Sequence, residues 1–359
     1  MKNNKKIIFN LGRNGGLPLY AKNVIENISE KDDLIFNSLF SEFKPDAMAG
    51  SRNIPTYRNK IEFILFSLTV LPVLLVYLVK LRLLDGFDKV YFPYIHFWTS
   101  PILIVCKLMR VKSYVTVHDG KLHLGDGIPL EKINLESSIK LANSLIYLSD
   151  YVKSQVEENY DVSSKEHLVS SLGTLAQASE IDFVEKKSHG CERFLFFGRV
   201  SKYKGVELML DSFVSSPHLR DKVITVAGRS NYSIDYSRYD CLNGLNVIDR
   251  YVSEIEIQEL FDSHDVLIMP YIDATQSGVL TYAIKSRTLV VMTNIGGLAE
   301  QVDSNSAYIC EPNLGSLKES LEKVVSDEQT RNQVFANFCD FASKENDSKI
   351  TEKLAQYLT

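Results

Sequence analysis

The sequence lacks the features of an extracellular scaffold or a metal protein. Its five cysteines, Cys106, Cys191, Cys241, Cys310 and Cys339, are odd in number, scattered and never spaced as CxxC. That argues against a disulfide framework or a zinc site and favours a reducing cytoplasm. Neither GxxxxGK[ST] nor GxGxxG occurs, so the two commonest phosphate-loop signatures are missing. No repeat or low-complexity run appears, and the apolar stretch near the N-terminus is too short for a signal peptide. What is present is a chain of 359 residues, 45% hydrophobic and 24% charged. This is a soluble, globular composition, long enough for two domains.

The net charge of −5 is unevenly spread. Residues 1–119 carry 16 Lys/Arg against 10 Asp/Glu, and the remainder carries 24 against 35. A basic first third and an acidic remainder are compatible with ordinary solvated faces. They are also compatible with one side meeting an anionic membrane or a phosphate-bearing ligand.

The most informative stretch is Arg193–Phe213, RFLFFGRVSKYKGVELMLDSF. Phe194–Phe197 suits a strand buried on both faces. Gly198 ends it, and Arg199, Lys202 and Lys204 follow in a loop. Gly205 then leads into a helix whose apolar side is Val206, Leu208, Met209, Leu210 and Phe213. A strand, a glycine-bounded basic loop and a helix can bring phosphate to the carboxyl edge of a sheet. A plain connection with solvated lysines has the same outline.

The rest of the chain alternates strands and helices. Lys6–Asn10 reads as a strand, Leu11–Gly16 as a loop with Gly12, Gly15 and Gly16, and a helix starts near Pro18 with Leu19, Val24, Ile25 and Ile28 inward. Leu34–Leu39 reads as a strand and Ser41–Asn59 as polar loop. Phe63–Val79 holds no charged residue and is followed by Lys80 and Arg82. Seventeen residues reach about 25 Å as a helix, short of a roughly 30 Å hydrocarbon core, and Pro72 interrupts them. A buried or groove-lining helix is expected there, with an interfacial, membrane-touching helix as the first alternative and a true span as the least favoured.

Val90–Phe92 leads to His96 and Trp98. After the helix Pro101–Arg110, the strand Ser113–Val117 delivers His118 and Asp119, with His123 and Gly125 shortly beyond. Ligands of open α/β sheets sit at the carboxyl ends of strands, so this histidine occupies a favoured place. Leu145–Leu148 and Val169–Leu172 read as strands, and Ser149 as the cap of a helix Asp150–Asn159. Residues 174–191 read as a linker. Beyond them Val223–Ala227 ends at Gly228, and Asn246–Ile248 precedes a capping box at Ser253–Glu256. Val266–Met269 and Leu289–Thr293 read as strands. Between them, YIDATQSG runs into a helix near Val279, whose N-terminus offers amides to an anion. Three helical patterns, around Leu317–Val325, Thr330–Ala342 and Ile350–Leu358, close the chain.

FLFFGRVSKYKGVELMLDSF, VIDRYVSEIEIQELFDSHDVLIMPY and TNIGGLAEQV resemble, in order and spacing, the second domain of family-4 retaining glycosyltransferases of bacterial surface-polysaccharide type. The N-terminal glycine loop, VTVHDGKLHLG and LIYLSDYVKSQVEENY resemble the first domain. The resemblance implies an α/β, GT-B fold of two Rossmann-like domains facing across a central cleft. The expected domains are 1–176, on the acceptor side, and 177–345, which binds the nucleotide sugar. A last segment, 346–359, would cross back to the first domain.

Carried over by position, His118, Arg199 and Lys204 are implied as the catalytic set. Gly15, Gly16, Gly198, Gly228, Tyr251, Asp273, Gln276, Ser277, Gly278 and Val279 are implied on the donor, and His96, Asp119 and His123 on the acceptor side. The family's Glu-x7-Glu motif is missing: its two positions hold Thr275 and Ala283, with Asp273 as a substitute toward the sugar. The implied activity uses no metal and no cofactor beyond the nucleotide-sugar substrate. It transfers to a glycan or lipid-linked glycan, in the cytoplasm or at the inner face of the membrane, without nucleic acid. Alternatives are a non-catalytic nucleotide-sugar-binding subunit and another GT-B enzyme such as a nucleotide-sugar epimerase.

Overall fold

The computed structural model describes residues 5–13, 15–45, 50–121, 129–172, 190–345 and 347–359. They form two compact units. The first holds seven parallel strands: β1 (Lys6–Asn10), β2 (Leu34–Ser38), β3 (Ser51–Ile54), β4 (Lys89–Phe92), β5 (Lys112–Val117), β6 (Ser144–Tyr147) and β7 (Glu166–Val169). Their order is β3-β2-β1-β4-β5-β6-β7. Its helices are α1 (Gly16–Ile28), α2 (Lys60–Leu84), α3 (Thr99–Leu108), α4 (Pro129–Leu141) and α5 (Asp150–Asn159).

Because side chains alternate along a strand, each strand feeds two cores. Ile7 and Phe9 of β1 pack in one core with Leu78 of α2, Ile102 of α3 and Val152 of α5. At its centre the ring of Phe9 stacks on Phe36 and Phe92, with centroids 5.3 and 4.8 Å away. Ile8 points the other way, into a core with Val24 and Ile25 of α1. Burial on both faces explains why these strands read as continuous apolar runs.

The second unit has six parallel strands: β8 (Arg193–Phe197), β9 (Val223–Ala227), β10 (Leu245–Ile248), β11 (Val266–Met269), β12 (Leu289–Thr293) and β13 (Tyr308–Cys310). Their order is β10-β9-β8-β11-β12-β13. Its helices are α6 (Val206–Val214), α7 (Glu254–Ser263), α8 (Val279–Ser286), α9 (Leu314–Ser326) and α10 (Glu328–Lys344). The last helix, α11 (Asp347–Leu358), belongs to the first unit. There Leu354 and Leu358 join the core of Ile8 and Val24, and Lys353 Nζ donates to the Val169 carbonyl at 3.0 Å.

In both sheets the chain winds outward from one strand and then returns to its other side. The reversal falls between β1 and β4 in the first unit and between β8 and β11 in the second. Such switch points open a crevice at the carboxyl edge of a doubly wound sheet. The loop carrying Gly12, Gly15 and Gly16 leaves β1 at one of them, and the Gly198 loop leaves β8 at the other.

Several expectations change. The polar stretch 41–59 contains the edge strand β3, and β7 lies earlier than Val169–Leu172. In α1 it is Tyr20, not Leu19, that is buried beside Val24 and Ile25. The apolar stretch 63–79 grows into the 25-residue α2, capped by the Asn59 side chain, which accepts from the Glu62 amide at 2.9 Å. It is not a buried helix: of its residues only Leu71, Leu74, Leu78 and Leu81 are buried. His123, Gly125 and nearly all of the linker 174–191 lie outside the described residues.

Candidate functional site

Each unit has a site at its switch point, and the two are chemically different. In the first, a cavity of about 440 Å3 is lined by Gly12, Gly16, Tyr57, His96, His118 and Asn134 among others. That volume is within the range of small-ligand pockets. Gly15, at φ +94°, turns the chain into α1 and caps it without a side chain. The first amides of α1 therefore have no capping hydroxyl or carboxylate, which is where a helix offers partial positive charge. The Gly12 amide donates to Tyr94 Oη at 2.5 Å, and the same hydroxyl donates to Asn10 Oδ1 at 2.8 Å, so Tyr94 ties the glycine loop to β1.

Two histidines stand in this cavity, each fixed before any ligand arrives. His118 follows β5 directly and is only 8% exposed. Its Nε2 lies 2.9 Å from the Pro93 carbonyl, and its ring meets Tyr20 edge-on at 4.9 Å. Burial pushes its pKa below the usual histidine value, opposed by the Pro93 carbonyl and by Asp119. A neutral imidazole bonded through Nε2–H to that carbonyl follows. His96 Nδ1 accepts from the Trp98 amide at 3.2 Å, which leaves the proton of the neutral ring on Nε2. Its ring stacks on Tyr57 at 5.2 Å, and burial lowers its pKa to about 3. The His96 carbonyl accepts from Asn134 Nδ2 at 3.0 Å. Asp119 and Glu131 supply carboxylates to the lining, and Arg13 a guanidinium held by the Arg58 carbonyl at 3.0 Å.

The second unit's site is made of backbone, hydroxyls and cations. Gly198 and Gly228 end β8 and β9 at φ +114° and +141°. A methyl group on Gly228 would sit 2.0 Å from the Gly198 carbonyl oxygen, so glycine is required where these two strand ends approach. A methyl on Gly198 would come 3.2 Å from Val279 Cγ2 and 3.4 Å from Lys204 Nζ. The Lys204 ammonium, Gly198 and the start of α8 thus converge. Lys204 Nζ also donates to Tyr271 Oη at 3.1 Å, and that hydroxyl lies 3.2 Å from Ser277 Oγ, which accepts from the Val279 amide at 3.3 Å. Arg199 is exposed, with Nη2 3.3 Å from Tyr203 Oη.

The expected donor residues do not all stand alike. Gly198, Gly228, Lys204, Ser277 and Val279 are brought together. Ser277, however, was expected to offer its amide to an anion, and that amide instead donates to Gln301 Oε1 at 2.6 Å. Its hydroxyl and its 6% exposure make it a support for Tyr271 and α8. Tyr251 lies after β10 and is 78% exposed. Asp273 sits where Tyr271–Asp273 folds over Tyr203, whose carbonyl accepts the Ile272 amide at 2.7 Å. Thr275 and Ala283, at the two positions of the missing glutamates, are both buried. The sequence reading missed Tyr57, Tyr94, Asn134, Tyr271 and Gln301. Tyr271 and Gln301 had a local signal, since they belong to YIDATQSG after β11 and to TNIGGLAEQV after β12.

Residues 177–337, just under half of the chain, match the family model described as glycosyl transferases group 1. A comparison with curated proteins gave no match. Among solved structures, HepE from Anabaena in complex with UDP superposes with a TM-score of 0.73 at 16% identity, covering 99% of both chains. Sucrose-phosphate synthase from Thermosynechococcus elongatus gives 0.73 at 13% identity over 99% of this chain and 98% of that one. An E. coli structure described as trehalose-6-phosphate bound with UDP-2-fluoro glucose gives 0.67 at 11% identity, with 99% and 98% covered. The architecture is GT-B, an α/β fold with two parallel sheets.

Proposed function

We propose that this chain is a retaining glycosyltransferase that moves a sugar from a nucleotide-sugar donor to a glycan or lipid-linked glycan acceptor. The observation that carries this reading is the convergence of Lys204 Nζ, the Gly198–Gly228 strand ends and the start of α8 at a switch point. Closely approachable backbone beside an ammonium suits a diphosphate. Two comparisons support it: the family match covers this unit, and HepE has been solved with UDP-glucose.

In the proposed mechanism the bond from the anomeric carbon to the diphosphate oxygen breaks, and the electron pair leaves with the diphosphate. Lys204 and Arg199 stabilise that charge, which is the main contribution of the protein. The acceptor hydroxyl attacks the same face, and its proton passes to the departing phosphate oxygen. Configuration is retained and no enzyme nucleophile is needed. Neutral His118, oriented by Pro93, packs against the sugar and hydrogen-bonds it, and Asp273 substitutes for the missing carboxylate near the sugar. The reaction is assigned to bacterial surface-polysaccharide assembly, in the cytoplasm with peripheral contact at the inner face of the membrane.

A second reading rests on Thr275 and Ala283: with neither glutamate present, the chain binds nucleotide sugars as a non-catalytic subunit. A thermal-shift screen against nucleotide sugars identifies the donor, since stabilisation follows RT ln(1 + [L]/Kd). Transfer from that donor to sugar acceptors then separates the two. Binding without transfer or hydrolysis favours the subunit, and no stabilisation by any nucleotide sugar refutes both.

A further inference from the structure

The outer side of α2 has no counterpart in the chemistry above. A helix that is apolar all round is normally wrapped by protein or by lipid, and protein covers only one side of this one. Leu71, Leu74, Leu78 and Leu81 follow helical spacing and are at most 9% exposed. At 100° per residue, Ile61, Leu65, Leu68, Pro72, Val76 and Leu83 share the opposite side. They form an uncharged stripe along nearly the whole helix, with Leu68 73% and Val76 70% exposed. Neighbouring α3 adds Leu108, 80% exposed. About ten large apolar side chains expose together on the order of 1,000 Å2, above the few hundred Å2 of a monomer's largest patch.

The helix cannot cross a bilayer in this fold. Twenty-five residues span about 37 Å, enough for a roughly 30 Å core, but both ends return to one sheet. Residues 55–59 join α2 to β3 and residues 85–88 join it to β4. The buried leucines press it on that sheet, so a crossing helix would carry the sheet into hydrocarbon. The helix can only lie in the plane of a surface.

Charge selects the surface. Residues 52–112 carry nine Lys or Arg against three Asp or Glu, and Lys60, Lys80, Lys107 and Arg110 are exposed at the ends of α2 and α3. A second copy docking by the same face would bring these like charges together. Anionic headgroups attract them. We infer that α2, with the adjoining end of α3, docks in plane on an anionic bilayer. Resting on the glycosyl-transfer reading, this makes the acceptor an amphiphile presented at that surface.

Flotation of the full chain with phosphatidylglycerol/phosphatidylcholine vesicles and with phosphatidylcholine vesicles tests it. The expected result at low salt is at least a tenfold preference for the anionic vesicles, weakened severalfold by high salt. Leu68→Asp combined with Val76→Asp is expected to lower binding about tenfold or more with an unchanged melting temperature, since both side chains are exposed. Lys80→Gln is expected to lower it two- to threefold on anionic vesicles only. No flotation of the wild type at low salt, or undiminished flotation of the double variant, overturns the inference. A dimer that the double variant turns into monomer, with no vesicle binding, overturns it in favour of a second copy. Nucleotide binding measured without vesicles reports on the glycosyltransferase reading separately, so a chain that floats but binds no nucleotide fails that reading alone.

Discussion

The two units share a topology and differ in what they put at its switch point. Behind β1 and β4 stand rings: Tyr57, Tyr94, His96 and His118, held by stacking, by backbone groups and by the Asn10 side chain. Behind β8 and β11 stand glycines, two cations and a chain of hydroxyls. Neutral rings fixed in advance suit a sugar, which offers hydroxyls and flat C–H faces. Approachable backbone and positive charge suit a diphosphate. One topology thus presents two different chemistries, and its side chains alone make the difference.

The largest expected effect is at the second switch point. Gly205, at φ +67°, has its Cα facing the Pro270 carbonyl, and a methyl there would lie 1.9 Å from that oxygen. Gly205→Ala is expected to cost about 3 kcal/mol or more, combining backbone strain with a backbone clash. A denaturant melt with unchanged stability would show that the loop yields freely. Next, Lys204→Ala is expected to lower turnover by about 10²-fold, the range for losing one charge-stabilising donor, and Arg199→Ala by less because that side chain is exposed. Rates near wild type for Lys204→Ala would remove the diphosphate from this loop.

The first switch point differs in how it responds to pH. The pKa of His96 is lowered to about 3 and that of His118 is also lowered, both chiefly by burial. The unfolded chain therefore binds more protons than the folded one below the unfolded value of about 6.5. For His96 stability is full above that pH and falls as pH drops toward 3, by up to about 1.4 kcal/mol per pH unit, and His118 contributes with the same sign. Melting curves of wild type and His96→Phe between pH 7 and 4 check this. Equal slopes would mean that His96 does not carry the effect. The smallest effect concerns Tyr271→Phe, which removes the hydroxyl between Lys204 and Ser277 and keeps the ring under the ammonium, 4.7 Å from its centre. Nucleotide affinity is expected to fall about fivefold, the scale of one hydrogen bond, and titration calorimetry reads it.

The difference between the units also explains what the sequence disclosed. The strands β1, β9, β11 and β12 could be delimited to the residue because burial on both faces writes an unbroken apolar run. The polar edge strand β3, the three-residue β13 and the weakly amphipathic α4 leave no such trace. The Gly198–Lys204 site was legible because glycines and cations within a few residues of one strand end form a local pattern. The ring-lined cavity was legible only in part: Gly16, His96, His118 and Asp119 follow strand ends, whereas Tyr57, Tyr94 and Asn134 come from distant segments and meet only through the order of the sheet. The capping box at Ser253 and the Ser149 cap were readable for the same local reason. The exposed side of α2 was invisible to composition, since a buried helix and a lipid-facing one have the same residues.

One calorimetric comparison tests the proposed division of labour between the two sites. Once the screen has identified the nucleotide, its diphosphate form is titrated into wild type, Lys204→Ala and His118→Ala, and turnover with the sugar donor is measured on the same samples. Affinity is expected to be at least tenfold weaker for Lys204→Ala. For His118→Ala, affinity is expected to be unchanged with turnover strongly reduced. Loss of nucleotide affinity and melting temperature together in His118→Ala, with Lys204→Ala binding as wild type, would contradict that division.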